Sequence, residues 1–138
     1  MKYYILKYSD DLPEGFGGTT QGPVIKIRPK YKDDMGLLEH EKTHVRQWYA
    51  LTGLGLVLTV SLMLLVWPAL WVAGAIAPFI HSLLYKNVQP YRQWCEVQAY
   101  REQLAMGGYT NSDFAVTALI GKYGLSLDTQ EANALLRG

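Results

Sequence analysis

Between Leu51 and Tyr85 the chain carries no Asp, Glu, Lys or Arg. A helix crosses the hydrocarbon core of a bilayer with about 20 apolar residues, so this tract is too long for one untilted span. Pro68 interrupts it near its middle, where proline removes a helical hydrogen bond. Two arrangements remain: a single kinked crossing, or a hairpin in which Leu51–Val66 leads in, "WPALW" turns, and Val72–Leu84 returns. In the hairpin, Trp48, Tyr49 and Tyr85 fall at one end and Trp67 and Trp71 at the other, the levels at which interfacial aromatics are enriched. Lys42, Arg46, Lys86 and Arg92 flank the tract and favour the cytoplasmic side for the polar part of the chain. The alternative is a pair of buried core helices in a soluble protein, or an oligomer interface formed by the same apolar surface.

The rest of the composition narrows the class. A chain of 138 residues suits one domain with its own core. The net charge of +1 gives no reason to expect a nucleic-acid partner. The single cysteine, Cys95, excludes an intramolecular disulfide framework and fits a reducing compartment. The N-terminus "MKYYILKYSDD" lacks an apolar stretch of signal-peptide length.

Along the chain, "YYILKY" (Tyr3–Tyr8) is aromatic and β-branched enough for a strand, and "DDLPEGFGG" reads as turn and loop. Val24–Arg28 offers a second strand, with Ile25 and Ile27 on one face, Lys26 and Arg28 on the other, and Pro29 ending it. A half-polar strand bounded by prolines is expected at a sheet edge. A helix begins near Asp33 or Asp34, where a carboxylate can cap free amides, and its apolar face carries Leu37, Leu38, Val45 and Trp48. Further helices are expected over residues 91–106, 113–123 and 128–136, the first stopped by Gly107 and Gly108. The expected class is therefore α+β: a small, mostly helical single domain spanning 1–138, with a short N-terminal sheet and the apolar hairpin 51–84 inserted between two functional helices.

The first of those helices carries "HEKTH". Helical residues four apart share a face, so His40 and His44 can direct two imidazoles at one ion. In H-E-x-x-H the intervening glutamate, here Glu41, serves as general base toward water activated by the metal. A catalytic zinc takes three protein ligands, so a third must come from elsewhere. Glu96 on the later helix is the candidate. His81, the remaining histidine, is an alternative; Cys95 neighbours Glu96 but points about 100° away from it on a helix. Tyr100 lies one turn beyond Glu96 and would share its face, which suits a phenol donating to a developing oxyanion or simply a core residue.

With "HEKTH" and "EVQAY" in this order, the chain resembles the gluzincin metallopeptidases, and most closely small bacterial and phage proteins of that kind. The resemblance covers about Val24 to Leu104. It implies a zincin-like fold, one Zn2+ per chain held by His40, His44 and Glu96, Glu41 as base, and hydrolysis of peptide bonds. It also implies that a peptide substrate lies as an added strand along a sheet edge beside the motif helix, for which Val24, Ile25, Lys26, Ile27 and Arg28 are the matching segment. A shared zinc site constrains the apolar tract. One crossing would leave Glu96 on the opposite side of the bilayer from His40 and His44, so the tract must enter and leave on one side. The expected protein is then a membrane-associated zinc peptidase with its catalytic part facing the cytoplasm. The rival reading is a non-catalytic zincin scaffold, soluble or virion-associated, kept for structure or interaction.

Overall fold

A computed structural model describes residues 3–137. Its sheet has three strands, β1 (Ile5–Tyr8), β2 (Gly18–Gln21) and β3 (Val24–Ile27), in the order β1-β3-β2. β1 runs parallel to β3, and β2 pairs antiparallel to it. The β2–β3 connection is a two-residue hairpin turn opening on Gly22, whose φ of +58° glycine tolerates without strain.

This order corrects one expectation. Val24–Arg28 is not an edge segment; its strand is central, hydrogen-bonded on both sides, and Ile25 and Ile27 are buried against Val45. The reason is β2, whose sequence "GTTQ" carries no apolar alternation by which a strand could be recognised. Arg28 lies just past the strand and does structural work. Its guanidinium donates to the carbonyls of Asp10, Leu12, Pro13 and Phe16, tying down the β1–β2 loop. The edge strand beside the motif helix is β2.

Helix α1 runs unbroken from Met35 to Leu65. The Leu37 amide donates to the Asp34 carboxylate at 2.8 Å, the N-cap expected from sequence. The chain then reverses at Val66 and Trp67 and returns as a 3-10 helix, Pro68–Ile76, followed by α2, Ala77–Asn87. The 3-10 stretch explains how a shorter return covers the same distance. From His44 to Leu65 the α-helix rises about 32 Å. The return from Pro68 to Tyr85 has fewer residues but gains about 2.0 Å per residue over its 3-10 part, for a total of roughly 30 Å. Tyr85 therefore comes back level with His44, their rings 6.1 Å apart. The tract folds back.

Small residues let the two arms approach. A Cβ on Gly55 would stand 3.0 Å from the Ala77 Cβ and 2.9 Å from Ile80, so a larger residue there would separate the arms. Trp48 Nε1 donates to the Pro78 carbonyl at 2.7 Å, fixing the base of the hairpin. Outward, Leu54, Leu58, Leu62, Leu65, Trp71 and Phe79 are exposed. Both arms are long and apolar enough to cross a membrane, and little of either is buried within the chain.

After α2, helix α3 (Gln89–Ala105) returns along α1, and α4 (Asp113–Gly121) and α5 (Thr129–Arg137) cover its far side. Val97 and Tyr100 from α3 pack with Val116, Leu119 and Leu125 in a second core. One face of α3 is thereby anchored in apolar packing while the face bearing Glu96 is presented to α1.

Candidate metal centre

α1 and α3 bring His40, His44 and Glu96 together, with one donor atom from each within 4.8 Å of the others. The two Nε2 atoms are 3.3 Å apart. Glu96 Oε1 lies 3.4 Å from His44 Nε2, and Glu96 Oε2 lies 3.6 Å from His40 Nε2. These separations can be compared with a metal's requirements. An ion about 2.05 Å from each donor in tetrahedral geometry sets those donors about 3.3 Å apart. The two imidazole nitrogens meet that spacing, and each lies close to it from a different oxygen of Glu96. Glu96 is 1% exposed, and its Oε2 has no hydrogen-bond donor. A buried carboxylate oxygen without a partner is costly unless a cation meets it.

The electrostatics agree. Burial alone would raise the Glu96 carboxyl, yet the two imidazoles hold it well below the usual carboxylate range. Burial alone would lower the His44 imidazole, yet Glu96 beside it, joined by Glu41 and Gln47, raises it to about 9. Without a metal, the cluster keeps a proton on His44 as its cation.

Two of the three candidate ligands are held from behind. His44 Nδ1 faces Gln47 Oε1 at 3.0 Å, and the Gln47 amide nitrogen donates to the Cys95 carbonyl at 3.2 Å. That orientation makes Nδ1 the donor and leaves the Nε2 lone pair for the site. The Tyr85 hydroxyl donates to Glu96 Oε1, so the return arm of the hairpin orients a ligand on α3. Sequence reasoning missed both groups. Gln47 was detectable as a polar residue one turn from His44; Tyr85 was taken only as an interfacial aromatic.

Glu41 is buried and stands beside the cluster rather than in it. Its Oε2 accepts from the Thr20 hydroxyl on β2 at 2.6 Å. Gly18 makes that approach possible, since a Cβ there would lie 2.7 Å from Glu41 Oε1. Burial raises the Glu41 carboxyl above its ordinary value, against the opposing pull of His40, His44 and the Thr20 hydroxyl. A raised carboxyl is suited to accepting a proton near neutral pH.

The other expected residues fall as follows. The Tyr100 ring packs edge-on against His40, with centroids 4.4 Å apart, and its hydroxyl pairs with that of Tyr123 at 2.9 Å. Its face was legible: the ring braces His40, and the hydroxyl is paired with that of Tyr123, which lines the cleft over the cluster. His81 stands outside the three-donor cluster and pairs through Nδ1 with the Tyr91 hydroxyl at 2.7 Å. Cys95 is buried, and burial pushes its thiol up to about 12. Glu39 engages Lys42 and Arg46 on the surface of α1.

A cleft of about 480 Å³ opens over the cluster. One wall is β2, from Gly18 to Gln21; the opposite wall is α2, through His81, Ser82 and Tyr85, and His40, Glu41, His44 and Glu96 form the floor. Of the residues expected to bind substrate, only Lys26 lines it.

Comparisons with protein-family models, with curated proteins and with solved structures each return no match.

Proposed function

We propose that the protein is a zinc-dependent peptidase of gluzincin type, held at a bilayer by its apolar hairpin. The observation that carries this reading is the convergence of one donor atom each from His40, His44 and Glu96 to within 4.8 Å of one another, with the buried Glu41 carboxyl beside them. His40, His44 and Glu96 would hold the ion. Zinc supplies Lewis acidity there, acidifying water and polarising a substrate carbonyl.

The chain's own groups do the rest. Glu41 takes a proton on its carboxylate and delivers it to the departing amine. Thr20 aims that carboxylate from β2. Gln47 and Tyr85 keep His44 and Glu96 in their ligating orientations. The free edge of β2 offers backbone N–H and C=O groups to an extended peptide, which would enter the cleft as an added strand.

A non-catalytic scaffold would not need Glu41, and a structural zinc is closed by a fourth protein ligand; among the described residues the cluster offers three. The hairpin supports bilayer insertion because its outward surface is apolar and two hydroxyls of its long arm are satisfied by the backbone. Thr59 and Ser61 each donate to the carbonyl four residues earlier, at 2.8 and 2.9 Å, which satisfies them without water.

The test is Glu41→Gln in the full chain, with a mixed peptide library as substrate. Hydrolysis should fall by at least a hundredfold while zinc stays at one per chain. A fully active variant would overturn the mechanism.

A further inference from the structure

We propose that the substrates are stem segments of membrane-anchored polypeptides, cut a few residues from the anchor; this rests on the peptidase and bilayer readings above. The direction of β2 carries the inference. At one end of the strand, a Cβ on Gly18 would lie 2.7 Å from Glu41; past the other end, a Cβ on Gly22 would lie 3.6 Å from the Trp48 ring. From Glu41 to Trp48 the helix advances about 10 Å toward its apolar arm. Over the matching residues the strand advances about 13 Å. β2 therefore runs mostly along the axis of α1, and its Gly22 end is the end nearer the hairpin.

A peptide paired with the free edge of β2 shares that direction. It would lie along the hairpin axis, which is the bilayer normal, with one end pointed at the membrane surface. The opposite wall of the cleft is α2, the return arm itself. His81 and Tyr85 line the cleft, while Phe79 and Leu83 on the same helix are exposed and apolar. A chain rising from the bilayer enters such a cleft without bending. A chain belonging to a soluble domain would have to turn at the membrane surface.

The depth follows from the helix. His44 lies about 10 Å above Leu51, where the charge-free tract begins on α1, and level with Tyr85, where it ends on α2. An extended chain covers that in about three residues. The scissile bond should fall within about six residues of the anchor's apolar boundary.

The experiment uses the full chain with zinc in phosphatidylcholine vesicles. Three substrates carry one unstructured 20-residue stem: joined directly to a single-span anchor in the same vesicles, joined through an eight-residue Gly/Ser spacer, and as a free soluble peptide. Products are located by mass spectrometry. Cleavage should fall within about six residues of the anchor in the first substrate. In the second it should move into the spacer, following distance from the bilayer rather than sequence. The free peptide should be cut at least tenfold more slowly at matched bulk concentration. Cutting at one sequence position irrespective of the spacer, or equal cutting of the free peptide, would overturn the inference and leave the peptidase reading standing. No cleavage of any of the three would overturn both.

Discussion

Tyr85→Phe removes one hydroxyl and leaves the aromatic ring in place beside His44. In the native chain that hydroxyl donates to Oε1 of Glu96, the buried carboxylate of the candidate metal site. A hydrogen bond to a charged group contributes about 1.5–3 kcal/mol, which corresponds to a factor of roughly 10 to 150 in an equilibrium constant. The metal-free protein also has this bond, so only the part that depends on holding Glu96 in its ligating orientation enters the metal affinity. We therefore expect about a tenfold loss of zinc affinity, the lower end of what groups behind a metal ligand contribute. The assay is competition with a chromophoric chelator, using full-length protein in detergent. Tyr91→Phe is the control, because the Tyr91 hydroxyl serves His81 and no donor of the cluster; its zinc affinity should match the native protein. An affinity for Tyr85→Phe within twofold of native would refute the role assigned to Tyr85.

Other perturbations separate the base, the cation and the membrane. Gly18→Ala places a methyl 2.7 Å from Glu41 Oε1, close enough to displace the carboxylate; peptide hydrolysis should fall about tenfold with zinc content unchanged, and unchanged kinetics would show that the Glu41 position is not critical. His44 is raised from 6.5 to about 9 in the folded chain, so its contribution is full below pH 6.5 and is lost as pH rises through 9. Glu96 is depressed, so its contribution is lost as pH falls through its lowered value. Chelator-treated protein should melt at progressively lower temperature between pH 6.5 and 9, and zinc-loaded protein should not, because the metal replaces the proton on His44; identical pH profiles would contradict this. With its hairpin inserted, the protein should stay with vesicles through alkaline carbonate and high salt, since burial of apolar area does not depend on charge; release by carbonate would contradict insertion.

The parts of the fold fixed by periodicity were legible in the sequence. Histidines four apart must share a helical face, and α1 places His40 and His44 on one. The return of the apolar tract followed from requiring Glu96 to reach them, and Tyr85 does come back beside His44. What was missed had weak local signals. "GTTQ" forms β2 only because β3 offers it a partner, and without β2 the central strand β3 read as an edge. Pro68 announced a break, but not that the nine residues from Pro68 to Ile76 would stretch into a 3-10 helix. Tyr100 illustrates a third limit: helical geometry gave its face, while the Tyr123 hydroxyl, from a segment 23 residues on, set where its own hydroxyl points.

The central claim is a three-ligand zinc site on α1 and α3, and zinc-edge X-ray absorption on the full chain, purified without chelator, addresses it most directly. The account predicts one zinc per chain, with two imidazole nitrogens at about 2.0–2.1 Å, a carboxylate oxygen at about 2.0–2.2 Å, and a remaining position filled by a light solvent atom. A chain that takes up no zinc, or a shell containing the Cys95 sulfur, would contradict it.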